Sequence, residues 1–134
     1  MRDILFRGKR VDNGEWETGS LVITRSGCSD EQVFLTDKMT GYLSPVIPET
    51  VGQYIGIVDE NGKKIFEGDI VITNTTSYEF IGCIAHSAKY VRFVCVTSHN
   101  IPYSIDSRFK YEIIGNIFDN PELLENNTGK ENSI

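Results

Sequence analysis

Residues 51–71 read VGQYIGIVDENGKKIFEGDIV and hold two runs of β-forming side chains on either side of one turn. Valine, isoleucine, tyrosine and phenylalanine fill both runs, which is typical of short strands. The turn DENGK at 59–63 contains Gly62, and glycine readily adopts the positive φ that a tight hairpin requires. The segment therefore predicts a β-hairpin with strands at 53–58 and 64–72.

Three more strand-like runs follow this hairpin, at 80–85, 89–97 and 111–118. The run at 89–97 is nearly continuous in apolar character, which favours a central position in a sheet. Single glycines stand where sharp bends or bulges would be needed. Five strands of this length predict a small antiparallel barrel, closed or nearly closed and SH3-like, over residues 53–119.

The N-terminal part predicts a second hairpin, packed on that barrel. Residues 4–7 can pair with 15–23 across the tight-turn sequence DNG at 12–14. Trp16, on the second of these strands, is expected to pack because an indole buries a large area. Two prolines in the segment 39–51 argue against a central strand, so a covering loop is expected there.

The C-terminal residues predict a short helix and then a disordered tail. Asn120 can cap the helix, Pro121 suits its first position, and Glu122 lies near the positive end of its dipole. The helix is expected at 120–125. The polar residues at 126–134 have too little apolar surface to offset the entropy of ordering them.

A chain of 134 residues can form one hydrophobic core, so we expect a single, mainly β domain over residues 1–125. Its parts are the N-terminal hairpin with covering loops (1–52), the barrel-like core (53–119) and the short helix. No apolar run could span a bilayer and no signal-peptide pattern is present, so a cytoplasmic location without membrane contact is expected.

The cysteines and the charge exclude some classes of function. Three cysteines without C-x-x-C spacing indicate neither a disulfide framework nor a zinc site. Cys83 and Cys95 are expected in the core, and Cys28 in a polar, reactive loop. The net charge of −6 repels a phosphate backbone at long range and disfavours non-specific nucleic-acid binding.

Three segments carry a more specific signal: ILFRG at 4–8, the stretch at 51–71, and IIGNIFDNPELL at 113–124. In this order they resemble the opening, central and closing motifs of the YopX protein family, which is found in phages and prophages. The family often has an aromatic residue after the Phe-Arg pair, where this chain has Gly8. The resemblance implies a phage or prophage origin, a β-rich fold and no established activity or catalytic residues.

The residues of this signature also have a plain structural interpretation. Glycines serve turns, and the carboxylate of an aspartate after a turn glycine can accept hydrogen bonds from turn amides. We therefore assign a fold-defining role to Gly56, Gly62, Gly68, Asp69, Gly115, Asn116 and Pro121.

Catalytic chemistry finds weak support in the sequence. Glu67 and Asp69 are spaced to share a strand face, so a metal-dependent hydrolase or nuclease is one hypothesis. His86 and His99 are the natural general bases, but no serine and aspartate accompany them in a triad pattern. The prediction is a non-enzymatic protein with no cofactor, no metal and no catalytic residue.

Binding is the favoured function. The first hypothesis is a module that contacts an unknown host or phage protein through loop tyrosines, namely Tyr42, Tyr78 and Tyr103. The alternative is a small barrel that binds nucleic acid through a basic strip formed by Arg2, Arg7, Lys9 and Arg10. Unclosed sheet edges would also allow self-association, and an acidic domain could mimic DNA.

Overall fold

A computed structural model of the chain describes residues 2–27, 30–37, 39–74 and 79–124. One 3₁₀ turn covers Pro48–Thr50, and residues 122–124 form a helical turn. Cys28, Tyr78 and the predicted disordered tail at 126–134 lie outside the described residues. The strands are β1 Phe6–Lys9, β2 Trp16–Ser26, β3 Asp30–Thr36, β4 Leu43–Pro45, β5 Gly52–Val58, β6 Lys64–Phe66, β7 Asp69–Asn74, β8 Glu79–Ser87, β9 Arg92–Thr97, β10 Pro102–Ser104 and β11 Lys110–Asn116.

The chain divides into two compact units, and the division falls inside β5, between Tyr54 and Ile55. In the first unit the antiparallel strand order is β4-β3-β2-β1, and the start of β5 pairs with β1 at Phe6↔Gln53. The hairpin predicted for the N-terminal part is confirmed as β1 and β2, with Lys9 opposite Trp16.

The end of β4 returns to the end of β1 in this first unit. Val46 forms an isolated bridge with Arg10, the Val11 amide donates to the Pro45 carbonyl at 3.0 Å, and the Ile47 amide donates to the Lys9 carbonyl at 2.8 Å. Leu35 and Val46 are buried inside. The segment expected to be a covering loop therefore supplies a short edge strand, whose proline is compatible with an edge because it needs no donor there.

The second unit contains a five-stranded antiparallel sheet in the order β10-β9-β8-β7-β11. Its core combines one residue from each of β6, β7, β8, β9 and β11, all almost inaccessible to solvent, and Ile55 and Ile57 of β5 pack against them. Burying a large aliphatic side chain stabilises a fold by about 1.5–3 kcal/mol, so this cluster is the main source of stability in the unit. Its buried members are Ile65, Val71, Ile84, Cys95 and Tyr111.

The mainly β class, the antiparallel pairing and the short C-terminal helix are confirmed. Within the described residues, the second sheet runs from edge β10 to edge β11, so an open sheet replaces the expected barrel. The β5–β6 turn occupies the edge of β11: the Glu60 amide donates to the Tyr111 carbonyl at 2.9 Å, and the Ile113 amide donates to the Asp59 carboxylate at 3.1 Å. Because these backbone groups are satisfied, β11 needs no further strand.

Two predicted strands are shorter than the sequence pattern suggested. The run at 64–72 is divided into β6 and β7 by a turn at Gly68, whose φ is +92°. The run at 89–97 begins as a strand only at Arg92, because residues 88–91 form the turn after β8. This second difference exposes side chains that the sequence pattern had placed in a strand.

Candidate functional site

Asp59 is a buried carboxylate in the β5–β6 turn, and only 4% of it is exposed. One of its oxygens accepts the amides of Asn61 and Lys63, both at 2.9 Å, and the other accepts the Ile113 amide. Burial alone would raise the pKa of Asp59, but these backbone hydrogen bonds and the Lys63 charge outweigh burial, so the pKa is lowered. Asp59 therefore joins a turn to β11 as a structural carboxylate.

Asp69 has a comparable role in the β6–β7 turn. It is 2% exposed, and its carboxylate accepts the Phe66 amide at 2.8 Å, as the sequence predicted for this position. Glu67 lies in the turn itself, so the two carboxylates do not share a strand face as the hydrolase hypothesis required. Among the described residues, no group of three or more His, Cys, Asp or Glu side chains could hold a metal ion.

The closing motif turns the chain back against β11. A β-carbon on Gly115 would lie 2.6 Å from the Asn120 side-chain oxygen and 2.9 Å from the Leu123 side chain, so any larger residue would displace these two side chains. The Asn116 side-chain oxygen accepts the Asp119 amide at 2.9 Å and also accepts the Phe118 amide. Asn120, predicted to cap the helix, instead accepts the Asn116 amide through its side chain at 3.3 Å. These contacts explain why the motif is fold-defining.

The cysteines and histidines show no catalytic arrangement in the part of the chain that is described. Cys83 and Cys95 are free and buried, as predicted. Burial raises the pKa of the Cys95 thiol to about 12, so its reactive thiolate is rare at neutral pH. His86 meets Phe93 edge to face, with ring centroids 5.4 Å apart, and His99 lies in the β9–β10 turn.

The tyrosines that the sequence suggested as a contact surface have different local surroundings. Tyr42 is 59% exposed, in a loop of the first unit. Tyr103 lies in strand β10 of the second unit, where its ring stacks on Phe80 at a centroid distance of 4.5 Å. Tyr78 is outside the described residues. Tyr103 is therefore engaged by packing, whereas Tyr42 fits the description of an exposed loop aromatic.

The basic strip of β1 is organised around an aromatic ring. The Arg7 guanidinium carbon lies 4.7 Å from the Trp16 ring centroid, and the Lys9 ammonium lies 5.6 Å from it, so Arg7 and Lys9 share a face as predicted. Arg10 is bound instead to the carboxylates of Asp12 at 2.8 Å and Glu17 at 3.5 Å. Arg2 is exposed near the start of the chain. We call Arg7, Lys9 and Trp16 the strand cluster.

A second group of cations around an aromatic ring lies at the turn between β8 and β9, and the sequence analysis missed it. The Lys89 ammonium and the Arg92 guanidinium carbon each lie 5.4 Å from the Tyr90 ring centroid. Tyr90 is 48% exposed and Val91 is 79% exposed. We call Lys89, Tyr90, Val91 and Arg92 the cationic tip.

Val91 holds an unusual backbone conformation at this tip. Its φ is +55°, in the left-handed region where a β-branched side chain crowds its own backbone. Glycine or asparagine is the usual residue in such a turn. Val91 therefore combines an apolar, exposed side chain with a strained backbone position.

The sequence profile of the YopX protein family matches residues 5–125. The chain belongs to the YopX family. The resemblance inferred from its opening, central and closing motifs is thereby confirmed.

Protein EF1440 from Enterococcus faecalis has a solved structure similar to that of this YopX-family chain, with 21% sequence identity and a TM-score of 0.52. The match covers 92% of this chain and 99% of that chain. At this identity the likeness concerns the fold alone. No curated protein sequence matches the chain.

A charge signal in the YopX-family sequence could have revealed the tip. The chain carries 19 acidic residues, yet none lies between Glu79 and Asp106, where Lys89 and Arg92 stand. Among the described residues, no carboxylate is within ion-pairing distance of either cation. The tip is therefore a cationic surface in an acidic chain.

The second unit also has an apolar groove, of about 380 Å³, beside the strands that carry the tip. Cys83, Ala85 and Val96 line it from β8 and β9, and Ile117 and Leu124 line it from the closing segment.

In the part of the chain that is described, no helix has the length and apolar character needed to cross a membrane.

Proposed function

We propose that this YopX-family chain is a non-enzymatic accessory protein of phage or prophage origin that binds an anionic macromolecule through the cationic tip. The observation that carries the proposal is the tip itself: two cations without a paired carboxylate among the described residues, placed around an exposed aromatic ring. Exposed aromatic and arginine side chains are the residue types that anchor interfaces. The proposal replaces the surface formed by three loop tyrosines.

The acidic character of the whole chain is compatible with such a partner. Charges in physiological salt are screened beyond about 8 Å, so distant carboxylates act weakly at the tip. At contact distance the Lys89 and Arg92 charges dominate, because no carboxylate among the described residues is within ion-pairing distance of either cation. Binding is therefore local and strongly dependent on these two side chains.

The non-enzymatic part of the proposal is supported by what the buried carboxylates do. Asp59 and Asp69 both accept backbone amide hydrogen bonds in turns. A general acid or base must reach a substrate with the atoms that transfer the proton. Both oxygens of Asp59 and one oxygen of Asp69 already accept amides that hold the fold.

The test is a titration of the isotopically labelled full chain with heparin, a dense polyanion, followed by amide NMR spectra. We expect shifts centred on residues 86–93. Replacing both cations, Lys89→Gln with Arg92→Gln, should abolish these shifts. The matched control is Arg108→Gln with Lys110→Gln, which changes the net charge equally at two other exposed cations and should leave the shifts in place.

Two results would overturn the proposal. One is the absence of any heparin-induced shift in the folded chain at low salt. The other is a set of shifts centred on the strand cluster, Arg2 or Tyr42 that persists in the Lys89→Gln, Arg92→Gln variant. The second result would return attention to the surfaces that were predicted from the sequence.

A further inference from the structure

The partner of the cationic tip can be specified further, in an inference that rests on the proposed function. We infer that the tip binds single-stranded nucleic acid, with a base stacked on Tyr90 and phosphates contacted by Lys89 and Arg92. The two cations lie 5.4 Å from the ring centroid, so charge and aromatic surface are presented together. Stacking surfaces beside cations are the chemistry by which proteins hold unpaired nucleotides.

Further rings lie next to the tip on the same hairpin. His86 and Phe93 face each other across β8 and β9, one residue pair before the turn, with ring centroids 5.4 Å apart. His86 is exposed and Phe93 is half-buried. Because strand side chains alternate, this pair lies on the face of the hairpin opposite Arg92, so Tyr90 is the ring that the two permanent cations accompany. An acidic peptide would use the cations but leave the Tyr90 ring without a matching surface.

The shape of the tip favours an unpaired strand over a duplex. Ser87 and Arg92 form the last residue pair of the hairpin, so only residues 88–91 lie beyond it. A base inside a duplex is already stacked on its neighbours and presents only its edges, whereas an unpaired base can be placed on an aromatic ring. The half-exposed ring of Tyr90 and the exposed Val91 therefore match an unstacked base.

The charge pattern along the chain reduces repulsion of phosphates at the tip. No acidic residue occurs between Glu79 and Asp106, which covers β9, β10 and nearly all of β8. The acidic total of the chain disfavours phosphate contacts over much of the remaining surface. The expected contact is thus short and involves few nucleotides.

The experiment measures fluorescence anisotropy of a labelled oligothymidine of about 12 nucleotides, a length within the range that small stacking domains occupy. A duplex of the same length and a polyglutamate peptide are the comparison probes. We expect the single strand to bind more tightly than either. Its affinity should fall about sevenfold between about 50 and about 200 mM salt, since two phosphates are neutralised.

Variants separate stacking from charge. Tyr90→Ala should weaken binding of the single strand about tenfold or more, the loss expected when one stacked aromatic is removed. Tyr90→Phe keeps the ring and should retain the affinity. The control Tyr42→Ala removes an exposed tyrosine of the first unit and should change nothing. Thermal unfolding of each variant establishes that it is folded.

The outcomes distinguish this inference from the proposed function. Heparin or polyglutamate binding at the tip without oligothymidine binding would overturn the inference and leave the proposed function standing. Duplex binding as tight as single-strand binding, unaffected by Tyr90→Ala, would also overturn it, because charge alone would then suffice. If neither heparin nor oligothymidine binds, both proposals fail.

Discussion

The strand cluster and the cationic tip contain the same chemistry in different places. Each has two cations within cation–π distance of one aromatic ring: Arg7 and Lys9 around Trp16, and Lys89 and Arg92 around Tyr90. The strand cluster lies between two paired strands and is half-buried, whereas the tip lies on a turn and its cations are exposed. The residue types are therefore poor guides to role, and the position in the sheet separates the structural role of the strand cluster from the binding role that we propose for the tip.

This difference has an energetic side. A cation over an aromatic ring contributes about 0.5–1 kcal/mol at an exposed site and about 2 kcal/mol or more where water is excluded. The half-buried strand cluster should therefore stabilise the fold more than the tip does. At the tip, the same contacts hold Tyr90 and its cations together at little gain in stability.

The largest expected contrast is between the two aromatic residues. Trp16→Ala should lower the free energy of unfolding by about 2–3 kcal/mol, somewhat less than for a fully buried ring, because the indole packs under two cations. Tyr90→Ala should change it by less than about 0.5 kcal/mol, as is usual for surface substitutions. Urea unfolding of both variants measures this. Equal losses in the free energy of unfolding would contradict the distinction between the two clusters.

Removing the cations gives a smaller contrast. Arg7→Ala with Lys9→Ala should reduce the free energy of unfolding by about 1–2 kcal/mol, through lost cation–π contact and lost packing of their aliphatic stems. Lys89→Ala with Arg92→Ala should cost less than about 0.5 kcal/mol. The two double variants have the same net charge, so each is the other's control in a thermal denaturation series. A larger loss at the tip would contradict the assignment.

The strain at the tip predicts an effect of opposite sign. Val91→Gly should raise the free energy of unfolding by about 0.5–1 kcal/mol, because relief of left-handed crowding exceeds the entropy cost of glycine. The control is Gly62→Ala at φ +81° in the β5–β6 turn, which should lower stability by about 1 kcal/mol. A destabilised Val91→Gly variant would show that this side chain is held by packing.

The smallest expected effect is the response of the Arg10–Asp12 pair to low pH. The hydrogen bond from Arg10 lowers the pKa of Asp12, so their interaction is complete above the unfolded pKa and is lost as the pH falls through the lowered value. Between about pH 4 and pH 2, the side-chain NMR signal of Arg10 should move while that of Arg92 stays constant. In Asp12→Asn the Arg10 signal should move much less. Comparable movement of Arg92 would reveal a carboxylate partner at the tip.

Much of the fold was predictable from local sequence. The hairpin of β1 and β2, the β5–β6 turn, the buried Cys83 and Cys95, and the amide contact of Asp69 all depend on residues close in the chain or on strand alternation. The short edge strands β4 and β10 were not predicted. Each has three residues including a proline, so their pairing reflects neighbouring strands rather than intrinsic preference.

The candidate site depended more on tertiary structure. Lys89, Tyr90 and Val91 belong to an apolar run that reads as one strand with the residues after them. The register of β8 on β9 pairs Ile84 with Cys95 and ends at Ser87↔Arg92, which leaves residues 88–91 as a turn. Burial of Ile84 and Cys95 sets this register, and the register leaves the tip exposed.

The sequence by itself determined the β class, the family and the positions of the turns at 12–14 and 59–63, because alternation, composition and turn residues act over a few neighbours. Only the tertiary structure decided that the second sheet stays open and where the cationic surface lies. Asp59 reaches Ile113 across 54 positions, and no local pattern encodes a contact of that length. The exposure of Tyr90 likewise follows from strand register, which is set by which side chains the core can bury.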